Sequence, residues 1–125
     1  MACESEHFSN DELRCPHCGE CHMDSDFLET LEEIREAIGS PLFVTSGYRC
    51  HDYNTMISTT GREGPHVQGK AVDIMIAGEA AYVLVNTALY HGITGVGVAQ
   101  KGSYGKRFIH LDTVHSELRP RIWSY

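Results

Sequence analysis

The sequence predicts an α+β domain: a small, mostly antiparallel sheet with flanking helices. Three observations carry this. Two segments place apolar residues at three- and four-residue steps between helix start and stop signals. Several short segments alternate apolar and polar residues with the period of a strand. The whole chain is 125 residues with 42% apolar side chains, enough for one domain around one modest core.

The elements follow in order. Residues 1–23 are polar and rich in Cys and His, and read as an irregular arm. Residues 24–38 form a helix. Asp24, Ser25 and Asp26 are candidate N-caps, and Phe27, Leu31, Ile34 and Ile38 make one apolar stripe. Gly39 ends it and Pro41 prevents resumption. Leu42–Thr45 is a short buried strand, Ser46-Gly47-Tyr48-Arg49 a turn, and residues 50–69 mostly loop with room for one helical turn. Ala71–Ala77 alternates as a strand, with Val72, Ile74 and Ile76 on one face and Ala71, Asp73 and Met75 on the other. A second helix spans Glu79–His91, with Tyr82, Val83, Val85, Leu89 and Tyr90 available for packing and Gly92 as its stop. Ile93–Ala99 is a Gly-interrupted strand, Gly102–Gly105 a hairpin turn, and Arg107–Asp112 a further strand. The tail ends in Trp123 and Tyr125, which either wall a substrate cleft or seal the core.

Charge and composition exclude some functions. A formal net charge of −7 argues against nucleic-acid binding, which draws its affinity from phosphate neutralisation. No apolar run approaches the ~18–20 residues of a membrane span. The acidic start, Met1 to Glu6, lacks the apolar core of a secretory signal, so the expectation is synthesis in the reducing cytoplasm. Five cysteines cannot all pair within the chain, and eight histidines accompany them; metal chemistry is the first thing this suggests.

The sharpest segment is His66-Val67-Gln68-Gly69-Lys70-Ala71-Val72-Asp73. Asp73 lies between apolar neighbours in a strand, and a buried carboxylate needs a cation or several donors. Gly69 permits a tight turn, so that His66 and Asp73 can converge. His110 is the third member, sharing a strand face with Phe108 and Asp112 while Ile109 and Leu111 face the core. Two imidazoles and one carboxylate make a three-ligand zinc site with a place left for water, the arrangement of a hydrolytic zinc.

In these motifs the chain resembles the zinc D-Ala-D-Ala carboxypeptidases and bacteriophage peptidoglycan peptidases of the M15 group, which share a fold with the hedgehog signalling domain. The resembling residues are Ser46-Gly47-Tyr48-Arg49, His66-x-x-Gly69-x-Ala71-x-Asp73, Phe108-Ile109-His110-Leu111-Asp112 and the tail Arg119 to Tyr125. The resemblance implies zinc ligation by His66, Asp73 and His110, and Arg49 in the cleft on a substrate carboxylate or an oxyanion. Many relatives carry a glutamate three residues before the last zinc histidine; here Arg107 stands there. Asp112, about 7 Å beyond His110 along the strand, either activates the zinc water or orients a ligand. Tyr104, His115 and Glu117 are weaker alternatives, and Trp123 is a candidate substrate-binding wall.

The functional expectation is a zinc peptidase that hydrolyses peptidoglycan stem peptides, as carboxypeptidase or endopeptidase, monomeric and without membrane insertion. An endolysin-like enzyme of phage or prophage origin, made in the cytoplasm and acting on the wall after release, fits it. The alternative is a non-catalytic zinc-binding domain that binds cell-wall peptide. In the arm, Cys15-Pro16-His17-Cys18 is half of a zinc knuckle. Cys21, His22 and Cys50 are available to complete a second, structural zinc site; a disulfide such as Cys18 to Cys50 or free thiols are the other readings. Cys3 is expected to be unpaired, and His7 to be a surface residue.

Overall fold

In the computed structural model, which describes residues 3–125, the apolar stripe of the first long helix becomes one wall of the core. The elements are α1 (Asn10–Leu13), α2 (Ser25–Ile38), β1 (Val44–Ser46), α3 (His51–Ile57), β2 (Ala71–Met75), α4 (Gly78–Tyr90), β3 (Gly95–Ala99), β4 (Phe108–Asp112) and β5 (Arg121–Ser124), with one 3-10 turn at Tyr104–Lys106. Asp24 caps α2 by accepting from the Phe27 N–H, and Gly39 closes it in a left-handed conformation.

The five strands run in the order β1-β2-β4-β3-β5. Three pairings are antiparallel, and β5 joins β3 in parallel, so the sheet is mixed. Alternation divides its residues between two faces. Val72, Ile74, Ile109, Leu111 and Val96 enter the core with Phe27, Leu28, Leu31 and Ile34 of α2 and Ala81, Leu84 and Ala88 of α4. The other face carries Asp73, His110, Asp112 and Trp123.

Five expectations change. The arm is not peripheral: Phe8, Leu13, Cys15 and Met23 are buried in the core, and α1 starts with a reciprocal capping box between Ser9 and Glu12. His7 is likewise anchored, with its ring and backbone N–H both on the Glu32 carboxylate at 2.7 Å. On α4, the face toward the core is Ala81, Leu84 and Ala88, while Tyr82, Val83, Leu89 and Tyr90 are exposed. Two alanines on that face let α4 lie close beside α2, and the larger residues project outward. Residues 51–57 form two helical turns, and the tail supplies a fifth strand.

Candidate metal centre

The sheet register builds the centre. Across the strands Ser46 partners Asp73, Asp73 partners His110, His110 partners Gly97, and Gly97 partners Trp123. Cross-strand partners project to the same face, so one transverse row carries the chemistry. His66 joins this row from the loop before β2. Gly69, at φ +71, takes the left-handed conformation that turns the chain from His66 into Asp73's strand.

His66, Asp73 and His110 are buried and converge, with one ligand atom from each within 4.8 Å of the others. His66 Nε2 is 3.3 Å and His110 Nδ1 3.1 Å from the same Asp73 oxygen, Oδ1. The remaining ring nitrogens are held from behind. His66 Nδ1 donates to the Gly47 carbonyl at 2.8 Å, and His110 Nε2 to Asp112 Oδ2 at 2.7 Å. A carbonyl can only accept, so the His66 proton sits on Nδ1 and its Nε2 lone pair faces inward. Asp112 likewise fixes His110 with Nδ1 toward the centre. Outer partners of this kind are what a metal-ligating imidazole requires. The donor set, two imidazole nitrogens and one carboxylate oxygen, fits zinc.

The second Asp73 oxygen accepts from Arg49 Nη2 at 3.2 Å. Arg49 Nε donates to Ser46 and Nη1 to Asn54, leaving two of its five N–H donors uncommitted. Arg49 thus touches the metal carboxylate and also lines the cleft. Asn54, buried and unanticipated, holds the 58–64 loop as well, through Nδ2 bonds to Thr60 Oγ1 and the Gly61 and Glu63 carbonyls.

Asp112 is fully buried, with no cleft exposure. Arg119 grips it with Nε and Nη2 at 3.2 and 2.9 Å, and the Val114 N–H donates to it as well. Both oxygens are therefore occupied behind His110, a geometry that matches the orienting role rather than that of a base acting in the cleft. Tyr104 and Glu117 are exposed and lie outside the cleft lining, and His115 lines a separate depression with Asp24 and Lys70. Arg107 donates to the Gly102 carbonyl at the strand's start.

Electrostatics follow from burial and pairing. Burial pushes the His66 imidazole below its usual value and so keeps it neutral. Burial opposes charge on Asp73, yet His66 and His110 hold its carboxyl well below the carboxylate range. Burial also disfavours charge on His110, but bonds to Asp112 and Asp73 raise it overall. Asp112 is held down to about 2, because contacts with His110 and Arg119 outweigh its desolvation.

The centre opens into a cleft of about 690 Å³. Trp123 stands against the His110 ring at 5.1 Å, with the guanidinium groups of Arg119 and Arg121 over its indole at 5.1 and 5.2 Å. Gly97 makes room for this wall: a Cβ there would stand 2.7 Å from Trp123 Nε1 and 2.8 Å from the Tyr125 hydroxyl. The lining includes Arg49, Arg119 and Arg121, and Asp73 is its sole side-chain carboxylate among the described residues. Arg49 is paired with Asp73 and Arg119 with Asp112, so Arg121 is the lining arginine without a carboxylate partner among the described residues. Arg119, Arg121 and Asn54 were not singled out for roles by sequence reading, since no spacing marks them.

A family model described as Peptidase M15 matches residues 6–112, a stretch that includes Arg49, His66, Asp73, His110 and Asp112. Comparison with curated proteins finds no match.

Proposed function

The chain belongs to the peptidase M15 family, and from that premise we propose that it is a zinc-dependent peptidase hydrolysing peptidoglycan stem peptides, as a D,D-carboxypeptidase or endopeptidase. The observation that carries the reading is the convergence of His66 Nε2, Asp73 Oδ1 and His110 Nδ1, with the far side of each imidazole fixed by Gly47 or Asp112. We place its action at the cell wall, in an endolysin-like setting of phage or prophage origin, after release from the cytoplasm.

His66, Asp73 and His110 would hold the ion. Bound there, zinc supplies Lewis acidity toward a peptide carbonyl and acidifies water. Arg49 offers its two uncommitted N–H donors to a substrate carboxylate or to the oxyanion that develops on the attacked carbonyl. Arg121 adds positive charge along the same wall, Arg119 being paired with Asp112, and the one lining side-chain carboxylate, Asp73, is engaged by Arg49. Trp123 gives the peptide a flat apolar surface. Asp112 is a positioning residue: it fixes the His110 tautomer and is itself fixed by Arg119.

The test is incubation of the zinc-loaded protein with purified stem peptides and with intact peptidoglycan, followed by mass spectrometry of the fragments. Chelator-sensitive release of a D-alanine or of a cross-link fragment is expected, and the product names the bond. The lack of an unpaired side-chain carboxylate on the cleft wall among the described residues favours one second reading, a non-catalytic zinc domain that binds wall peptide. Saturable binding of stem peptide by the zinc-loaded protein, with no cleavage, would establish that reading instead.

A further inference from the structure

The arm and the Arg49 turn meet at three sulfurs. Cys15, Cys18 and Cys50 bring their Sγ atoms within 4.8 Å of one another. Backbone N–H groups aim at all three: Cys50 N–H at Cys15, Tyr53 N–H at Cys50 and Glu20 N–H at Cys18, each at 3.4 Å. The segment 15–20 closes on itself, Gly19 N–H donating to the Cys15 carbonyl at 2.9 Å and Cys15 N–H to the Glu20 carbonyl at 2.8 Å. Such a C-x-x-C turn points two sulfurs at one place. A disulfide can join only two of the three and would strand the third.

Cys21 does not belong to this group, contrary to the expectation from spacing. It lies beside Cys3, whose thiol donates to the Cys21 carbonyl at 2.6 Å. No fourth sulfur is within reach of the three among the described residues.

We propose that Cys15, Cys18 and Cys50 bind a structural zinc ion, separate from the His-Asp-His centre and completed by one nitrogen or oxygen donor. Three soft thiolates select zinc over the hard divalent cations. Each thiol gives its proton to solvent as the ion binds. The ion would clip the arm to the segment that serves the first centre. Cys50 follows Arg49, and Gly47, whose carbonyl orients His66, is already pressed against the arm. Tyr48 N–H donates to the Leu13 carbonyl at 2.8 Å, and a Cβ on Gly47 would lie 2.7 Å from that oxygen.

The test uses the full chain and does not depend on activity. Metal analysis of zinc-loaded protein should give about two ions per chain. Loading with cobalt(II) should give the intense near-ultraviolet charge-transfer band of cobalt thiolates, and X-ray absorption on the zinc form should give a sulfur-containing shell. Cys18→Ser, at an exposed position that leaves the fold intact, should remove one ion and the band. Cys21→Ser should keep both. His66→Ala should remove the other ion and keep the band, so a failure at the peptidase centre and a failure here give different results. A single ion with no cobalt–thiolate band, a band that survives both Cys18→Ser and Cys50→Ser, or a metal-free protein with a disulfide among the three cysteines would each overturn the proposal.

Discussion

The His-Asp-His cluster and the cysteine cluster are built from different parts of the fold. Asp73 and His110 face each other in register on β2 and β4, central strands whose opposite sides are buried in the core. Each donor there already has a protein partner: Gly47 behind His66, Asp112 behind His110, Arg49 on Asp73. The three sulfurs sit on a tight turn and at the start of α3; Cys15 is buried in the core, and the hydrogen bonds to all three come from backbone N–H groups. The first cluster is assembled by the sheet before any ion arrives. The second is fixed at Cys15 by the core, and the proposed ion would close it across Cys18 and Cys50. Preorganisation in one and metal-dependent closure in the other predict unlike responses to the same perturbations.

Removing a partner should cost most in the sheet. Asp112→Ala leaves the half-buried Arg119 without its carboxylate and the buried His110 without its rear acceptor, and should destabilise the metal-free protein by about 3–5 kcal/mol in chemical denaturation. A loss as small as that of a surface substitution would break the contrast. Asp112→Asn keeps the shape but weakens the hold on His110, and should lower zinc affinity at this centre about 10–100-fold in competition titrations. The thiolate–cobalt band should not move.

Glu32 tests how firmly the arm is anchored apart from its sulfurs. Its burial opposes charge, but the Ser5 hydroxyl and the His7 N–H and ring pull its pKa below the usual value. Glu32→Gln should cost about 1–3 kcal/mol at neutral pH. A lowered carboxyl contributes stability above its unfolded pKa and loses it as pH falls through its folded one. The penalty should therefore shrink on acidification below about 4, which thermal melts at several pH values would reveal.

His110 behaves in the opposite sense. Its raised pKa means that, without metal, a proton between Asp73 and Asp112 stabilises the fold fully below the unfolded value of about 6.5, and this is lost as pH rises through the folded value. Zinc must displace that proton, so affinity at this centre should fall on acidification, as calorimetry in buffers of different ionisation heat can show. Smallest of all should be Cys18→Ser in the metal-free protein, within about 0.5 kcal/mol of the parent. The same substitution in zinc-loaded protein should lower the melting temperature, and equal effects with and without zinc would erase the distinction between the clusters.

The sheet cluster was legible in the sequence because strands advertise themselves. Period-two alternation placed Asp73 opposite its apolar neighbours and His110 opposite Ile109 and Leu111, and burial agrees at each of these positions. The arm's part in the core was hidden, since Phe8, Leu13 and Met23 follow no period. On α4 the aromatic side chains drew attention from Ala81 and Ala88, whose small size is what brings the helix in. The parallel partnership of β5 with β3 leaves no local trace, because its strands are separated by all of β4. Asn54 and Arg119 act through long-range hydrogen bonds that spacing cannot encode. Cys21 is one of the donors the spacing offers to complete the Cys15–Cys18 half-site, but it lies beside Cys3 and outside the group of three sulfurs.

Gly97 supplies no donor to either cluster, yet the indole and the phenol rest where its side chain would be. The aperture of the cleft is therefore set from a strand that takes no part in the chemistry. A single methyl group at 97 would press on both rings without changing any of the three candidate ligands, so the width of the cleft can vary while its donor set stays the same.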